Sequence, residues 1–104
     1  MKIAVATTDG ITVNEHFGMA DKFQLYVITS EGPVKVGETP VEKLSTGDKK
    51  HPFDRERFQA IADALNGCER VYVTKIGDRP AEELKKAGIE SVVYEGEISG
   101  ITLD

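Results

Sequence analysis

Residues 70–94 read "RVYVTKIGDRPAEELKKAGIESVVY". An apolar run (70–75) is followed by a helical pattern (78–87) and a second apolar run (91–94). Pro80 stands in the first turn of that helix, Glu82 and Glu83 come early, Lys85 and Lys86 late, and Gly88 ends it. Such a start and stop follow from the missing N–H of proline, the helix dipole and the freedom of glycine beyond the last turn. A strand–helix–strand unit of this kind implies parallel neighbours joined by a right-handed crossover.

Upstream, residues 54–66 ("DRERFQAIADALN") form another helical pattern, with Phe58, Ile61, Ala62 and Leu65 at three- and four-residue spacing, Asp54 suited to the cap and Gly67 to the stop. Residues 2–7 ("KIAVAT") read as a buried strand ended by Asp9-Gly10. Residues 22–29 ("KFQLYVIT") alternate with apolar side chains on both faces. Glu31-Gly32-Pro33 turns the chain into a more polar third strand begun by Val34 and Val36, suited to a sheet edge. Residues 41–52 read as an exposed loop containing Lys49, Lys50 and His51.

The order is βββαβαβ. A ferredoxin-like plait would need a helix directly after the first strand, where none of useful length is found. The expectation is α/β: a ribonuclease-H-like, three-layer architecture around a mixed five-stranded sheet of order 3-2-1-4-5 with strand two antiparallel. One domain covers residues 1–95, and residues 96–104 read as a C-terminal tail.

In that topology strands one, three, four and five end at one rim, where strand two begins. The loops carrying His16 and His51 and the turn Ile76-Gly77-Asp78-Arg79 share it. Central strands one and four lead off in opposite directions, and ligands in open α/β sheets bind at such a switch point.

Composition narrows the function. The 104 residues carry a formal charge of −5 and are 39% hydrophobic and 30% charged. Neither nucleic acid nor an anionic membrane surface is favoured as a partner, since both reward clustered lysine and arginine. No segment approaches the roughly 20 apolar residues of a membrane helix, and the N-terminal apolar run breaks too early for a secretory leader. A cytoplasmic location is the expectation. Cys68 is the sole cysteine, so neither an internal disulfide nor a Cys-x-x-Cys metal site forms, and its position before strand four suits a packed thiol.

No nucleophile with a paired base is visible, and "KIAVAT" and "RVYVTK" place no carboxylate on the central strands. Nuclease and metal-dependent hydrolase chemistry are disfavoured, and no enzymatic activity is expected. The glycine spacing matches neither a Walker loop nor a dinucleotide fingerprint. At the second helix start, Gly77 and the following N–H groups either bind an anion, with Arg79 adding a charged contact, or are capped by Asp78 itself.

The stretch "VNEHFGMADKF" (13–23) is the most informative for function. Imidazole is a ligand for iron and other transition metals near neutral pH. Phe17 anchors the segment in the core, Gly18 frees its backbone, and Glu15 or Asn14 is placed to orient the His16 ring. His51 is a second potential metal contact, from a less constrained loop.

"MKIAVATTDG…VNEHFGMADKFQLYVI" together with "CERVYVTKIGDRPAEELKKAGIESVV" resembles the dinitrogenase iron–molybdenum cofactor biosynthesis domain family. That family includes small cofactor carriers of nitrogenase maturation, linked to nitrogen fixation. "EHFG" and the "IG…AxxLxxAGI" helix are the specific parts, and the resemblance spans residues 1–95. It implies a ribonuclease-H-like fold and non-enzymatic, transient binding of an iron–sulfur or iron–molybdenum cluster, with no permanent cofactor. Metal-cluster donor and acceptor proteins are the implied partners. On the matching motif His16 contacts the cluster, flanked by Phe17 and Gly18, and in the reading of the helix start above Gly77 and Arg79 add backbone and charge contacts to it. The alternative is a metal-free small-molecule or regulatory interaction module, in which His16 only hydrogen-bonds within its loop.

Overall fold

A computed structural model describes residues 1–44 and 53–102. The main sheet has five strands: β1 (Lys2–Val5), β3 (Lys22–Thr29), β4 (Gly32–Pro40), β5 (Arg70–Val73) and β6 (Glu90–Val93). Their order is β4-β3-β1-β5-β6. β3 is antiparallel to β1 and β4, whereas β1–β5 and β5–β6 are parallel. The expected mixed sheet and strand order are therefore present. A two-stranded ribbon, β2 (Thr12–Val13) with β7 (Gly96–Glu97), lies outside it.

Side-chain alternation along the strands sorts the core into two clusters. Ala4, Ala6, Phe23, Val71 and Val73 join Phe58, Ile61 and Leu65 of the α1 (Arg55–Ala64) region and Leu84 of α2 (Asp78–Lys86). Small alanines in the central strand let the helices approach closely. Ile3, Val5, Tyr26 and Tyr72 point the other way and meet Val13, Ile98 and Ile101. Asp54 caps α1 as expected, its carboxylate accepting the N–H of Arg57 at 3.0 Å.

Two expectations are corrected here. The third layer of the expected three-layer architecture is not helical among the described residues, because both helices contribute to one cluster. The crossovers β4–α1–β5 and β5–α2–β6 advance in the same direction along the sheet. With the same hand, successive crossovers of that kind place both helices on one face.

The opposite face is covered by residues 96–102, a packed segment in place of the expected tail. β7 pairs with β2, the 3₁₀ turn Ile98–Gly100 follows, and Ile98 and Ile101 are 4% and 3% exposed. The Tyr94 hydroxyl donates to the Glu97 carbonyl at 2.8 Å and fills the space where a Cβ on Gly100 would sit.

β4 is an edge strand, with Val34 and Val36 exposed. Cys68 is buried just before β5, and burial pushes its thiol up from the usual value. It lies at the rim away from His16, as its position in the sequence implied.

Candidate functional site

The C-terminal ends of β1 and β5 meet the loop that carries His16. Ala6 continues β1 toward β5, its N–H bonding the Tyr72 carbonyl at 3.0 Å. Residues 14–17 then fill the seam between these strand ends. The Asn14 N–H bonds Ala6, the Thr74 N–H bonds the Glu15 carbonyl at 3.0 Å, and the Phe17 N–H bonds the Lys75 carbonyl at 2.9 Å. His16 and Lys75 form an isolated parallel bridge. Among the described residues the switch point is thus occupied by the chain's own backbone, which presents His16 at the surface. Among the described residues, one hollow of about 710 Å³ lies at the opposite rim beside Glu69 and Arg70, and another of about 530 Å³ lies between the end of β4 and α1. Neither is lined by His16.

Alternation explains what the mouth displays. Phe17 turns inward, 1% exposed, against Phe23 and Phe58 with ring centroids 5.8 and 6.4 Å away. His16 turns outward and is exposed. Gly18 lies in the short 3₁₀ turn Phe17–Met19, where the Met19 N–H bonds the His16 carbonyl at 3.1 Å. Its φ is not positive, so that turn makes no left-handed demand on the residue.

Neither expected orienting residue holds the imidazole. The Glu15 carboxylate instead accepts the backbone N–H of His16 at 2.8 Å. Asn14 exchanges two 2.8 Å hydrogen bonds with Thr8, through the Thr8 N–H and hydroxyl. Among the described residues the His16 ring makes no hydrogen bond to the protein. Both neighbours stiffen the backbone around the ring, and neither engages its nitrogens.

The approach to the loop is similarly braced. The Asp9 carboxylate accepts the N–H groups of Ile11 and Thr12, each at 2.8 Å, and the hydroxyls of Thr12 and Thr7. These contacts, led by the Thr12 N–H, hold its carboxyl well below the usual carboxylate range. Gly10 adopts φ +74° in this turn, a conformation suited to glycine.

At the α2 start, Gly77 is the N-cap, with no side-chain capping bond, and Asp78 is the first helical residue. Self-capping by Asp78 is therefore not the arrangement found. Gly77 keeps φ −71°, and a Cβ there would meet Pro80 Cδ at 3.4 Å. Arg79 is drawn aside: its Nε lies 3.9 Å from Glu83 Oε1, and its guanidinium lies 4.6 Å over the Phe53 ring.

The site residues therefore separate into groups. His16, Phe17 and Gly18 form one unit against β5. Gly77 begins α2 two residues beyond Lys75, and Arg79 packs along α2. His51 lies outside the described residues. Among those described, no three His, Cys, Asp or Glu side chains converge on a metal-sized position, and His16 is the histidine present. Lys75 is the neighbour that sequence reasoning missed. Its position two residues past the buried Val73 was visible, but its pairing with His16 was not.

The family described as Dinitrogenase iron-molybdenum cofactor matches residues 1–102. The FeMo cofactor biosynthesis protein NifB of Herbaspirillum seropedicae is 38% identical over 90 residues, covering 86% of this chain and 17% of that protein. NifB of Chlorobaculum tepidum is 34% identical over 96 residues, covering 92% of this chain and 22% of that protein. The chain thus spans about a fifth of the length of such relatives.

Among solved structures, the crystal structure of PH0822 aligns with TM-score 0.67 at 25% identity, over 95% of this chain and 84% of that one. The NMR structure of TM1290 from Thermotoga aligns with TM-score 0.54 at 22% identity, over 94% and 79% respectively, a likeness of fold. With nearly its whole length matched, the chain belongs to the dinitrogenase iron-molybdenum cofactor family.

Proposed function

We propose that this protein binds and hands on a preformed iron–sulfur or iron–molybdenum cluster without chemical turnover. Participation in cofactor biosynthesis is supported by family membership and by the relatives' names. The observation that carries the finer reading is the His16 mouth: a backbone locked to β5 by the Phe17–Lys75 bond, with an exposed imidazole free of protein hydrogen bonds among the described residues.

A single imidazole on a rigid ledge holds iron reversibly. A resident cofactor generally takes several protein ligands, whereas a carrier must release its load. Phe17 and Gly18 shape the ledge, and Gly77 supplies an uncapped helix start nearby. Arg79 acts through the Phe53 contact that braces α2. The fold is read as ribonuclease-H-like from its strand order, the location as cytoplasmic, and the partners as cluster donor and acceptor proteins of nitrogenase maturation.

The test is anaerobic gel filtration of wild type and His16→Ala after mixing with isolated iron–molybdenum cofactor. Iron is expected to co-elute with wild type and not with the variant. Iron on both removes His16 from the site. Iron on neither moves the reading to a metal-free interaction module.

A further inference from the structure

The charge partner for an anionic cargo was expected from Arg79, but that guanidinium is engaged by Glu83 and Phe53. A different cation stands beside His16. In the parallel bridge, His16 and Lys75 occupy paired positions, and paired residues on neighbouring strands face the same side. Both are exposed, and the bend at Thr74 ends the β5 alternation that would otherwise put Lys75 on the buried face of Val73. Among the described residues Lys75 forms no salt bridge. The nearest acid in the chain to His16, Glu15, directs its carboxylate onto the His16 N–H. Asp78 is exposed in the first turn of α2 and does not pair with Lys75.

We propose that Lys75 is a second binding residue of this mouth: its ammonium, presented beside the His16 imidazole, takes up the negative charge of a sulfide-bridged metal cluster. The proposal rests on the carrier reading and adds to it. Sulfide bridges make such clusters anionic, and an ammonium is a strongly hydrated point charge with three donors. His16 then selects for an open metal site while Lys75 selects for anionic charge. The recognition is electrostatic and solvent-exposed, so salt weakens it.

The test uses two probes on wild type, His16→Ala, Lys75→Gln and Lys75→Arg, with circular dichroism confirming that each variant folds. One probe is isolated iron–molybdenum cofactor, followed by co-eluting iron. The other is tetrathiomolybdate, a sulfide dianion without iron, followed by equilibrium dialysis. Lys75→Gln is expected to weaken retention of both roughly two- to fivefold at low salt, as for an exposed ion pair, and to flatten the salt dependence. Lys75→Arg is expected to restore both. His16→Ala is expected to lose the cofactor while keeping Lys75-dependent binding of the dianion.

Equal retention by wild type and Lys75→Gln, with the same salt dependence, overturns the Lys75 assignment and leaves the carrier reading standing. Lys75-dependent binding of the dianion without any cofactor binding does the reverse. Binding of neither probe overturns both.

Discussion

The Phe17 N–H bonds the Lys75 carbonyl at 2.9 Å, and this contact ties the histidine loop to the end of β5. It fixes two opposite orientations at once, since alternation sends Phe17 into the core and His16 outward. On the carrier reading proposed above, stability and binding fall to adjacent residues, and substitutions separate them.

His16→Ala is expected to leave folding nearly untouched. The ring is exposed and makes no hydrogen bond to the described residues, and surface changes of this kind usually fall within about 0.5 kcal/mol. Urea unfolding of the variant should overlay that of wild type, while its iron retention is lost.

Phe17→Ala is expected to do the opposite first. Removing a ring that is 1% exposed and packed against Phe23 and Phe58 should cost about 3–5 kcal/mol. The urea midpoint should fall markedly, and cluster binding should fall with it as the ledge loosens. Phe17→Leu should recover most of both, because it refills much of the cavity.

Asp9 provides a pH signature. Its carboxyl is held below its ordinary value of 3.8, chiefly by the Thr12 and Ile11 N–H groups, so the folded state favours the ionised form. The resulting stability is fully present above the ordinary value and is lost as pH falls toward the depressed one. The gap in urea midpoint between wild type and Asp9→Asn should be widest near about pH 5 and shrink steadily toward about pH 2.5. A gap constant with pH would remove the charge from the explanation.

Ile98→Ala tests the cover on the second face. Ile98 is 4% exposed and packs in the cluster containing Ile3, Val5 and Tyr72, so its truncation should cost about 2–5 kcal/mol. A freely trailing tail would show no effect. Chain unfolding by urea distinguishes the two.

The strand order was legible because apolar alternation and two strand–helix–strand units leave few topologies open. The second face was not. Residues 96–102 carry only Ile98 and Ile101 as apolar anchors, too few for a periodic signal, and β2 and β7 each contribute two residues whose pairing is long-range. At the site, "EHFG" pointed to His16 and Phe17 by residue chemistry alone. The diversion of Arg79 to Glu83 and Phe53, and the placing of Lys75 opposite His16, depend on how α2 and the loop pack against β5.

By itself the sequence determined the five strands of the main sheet, the two helices, the edge character of β4 and the histidine that faces the rim. Those follow from local periodicity, turn chemistry and charge. Tertiary structure decided that both helices share one face, that the C-terminal segment closes the other, and that the switch point is filled by residues 14–17. Each of these outcomes rests on contacts between residues far apart in the chain. Their energies come from joint burial and backbone pairing across the sheet, which no local pattern records.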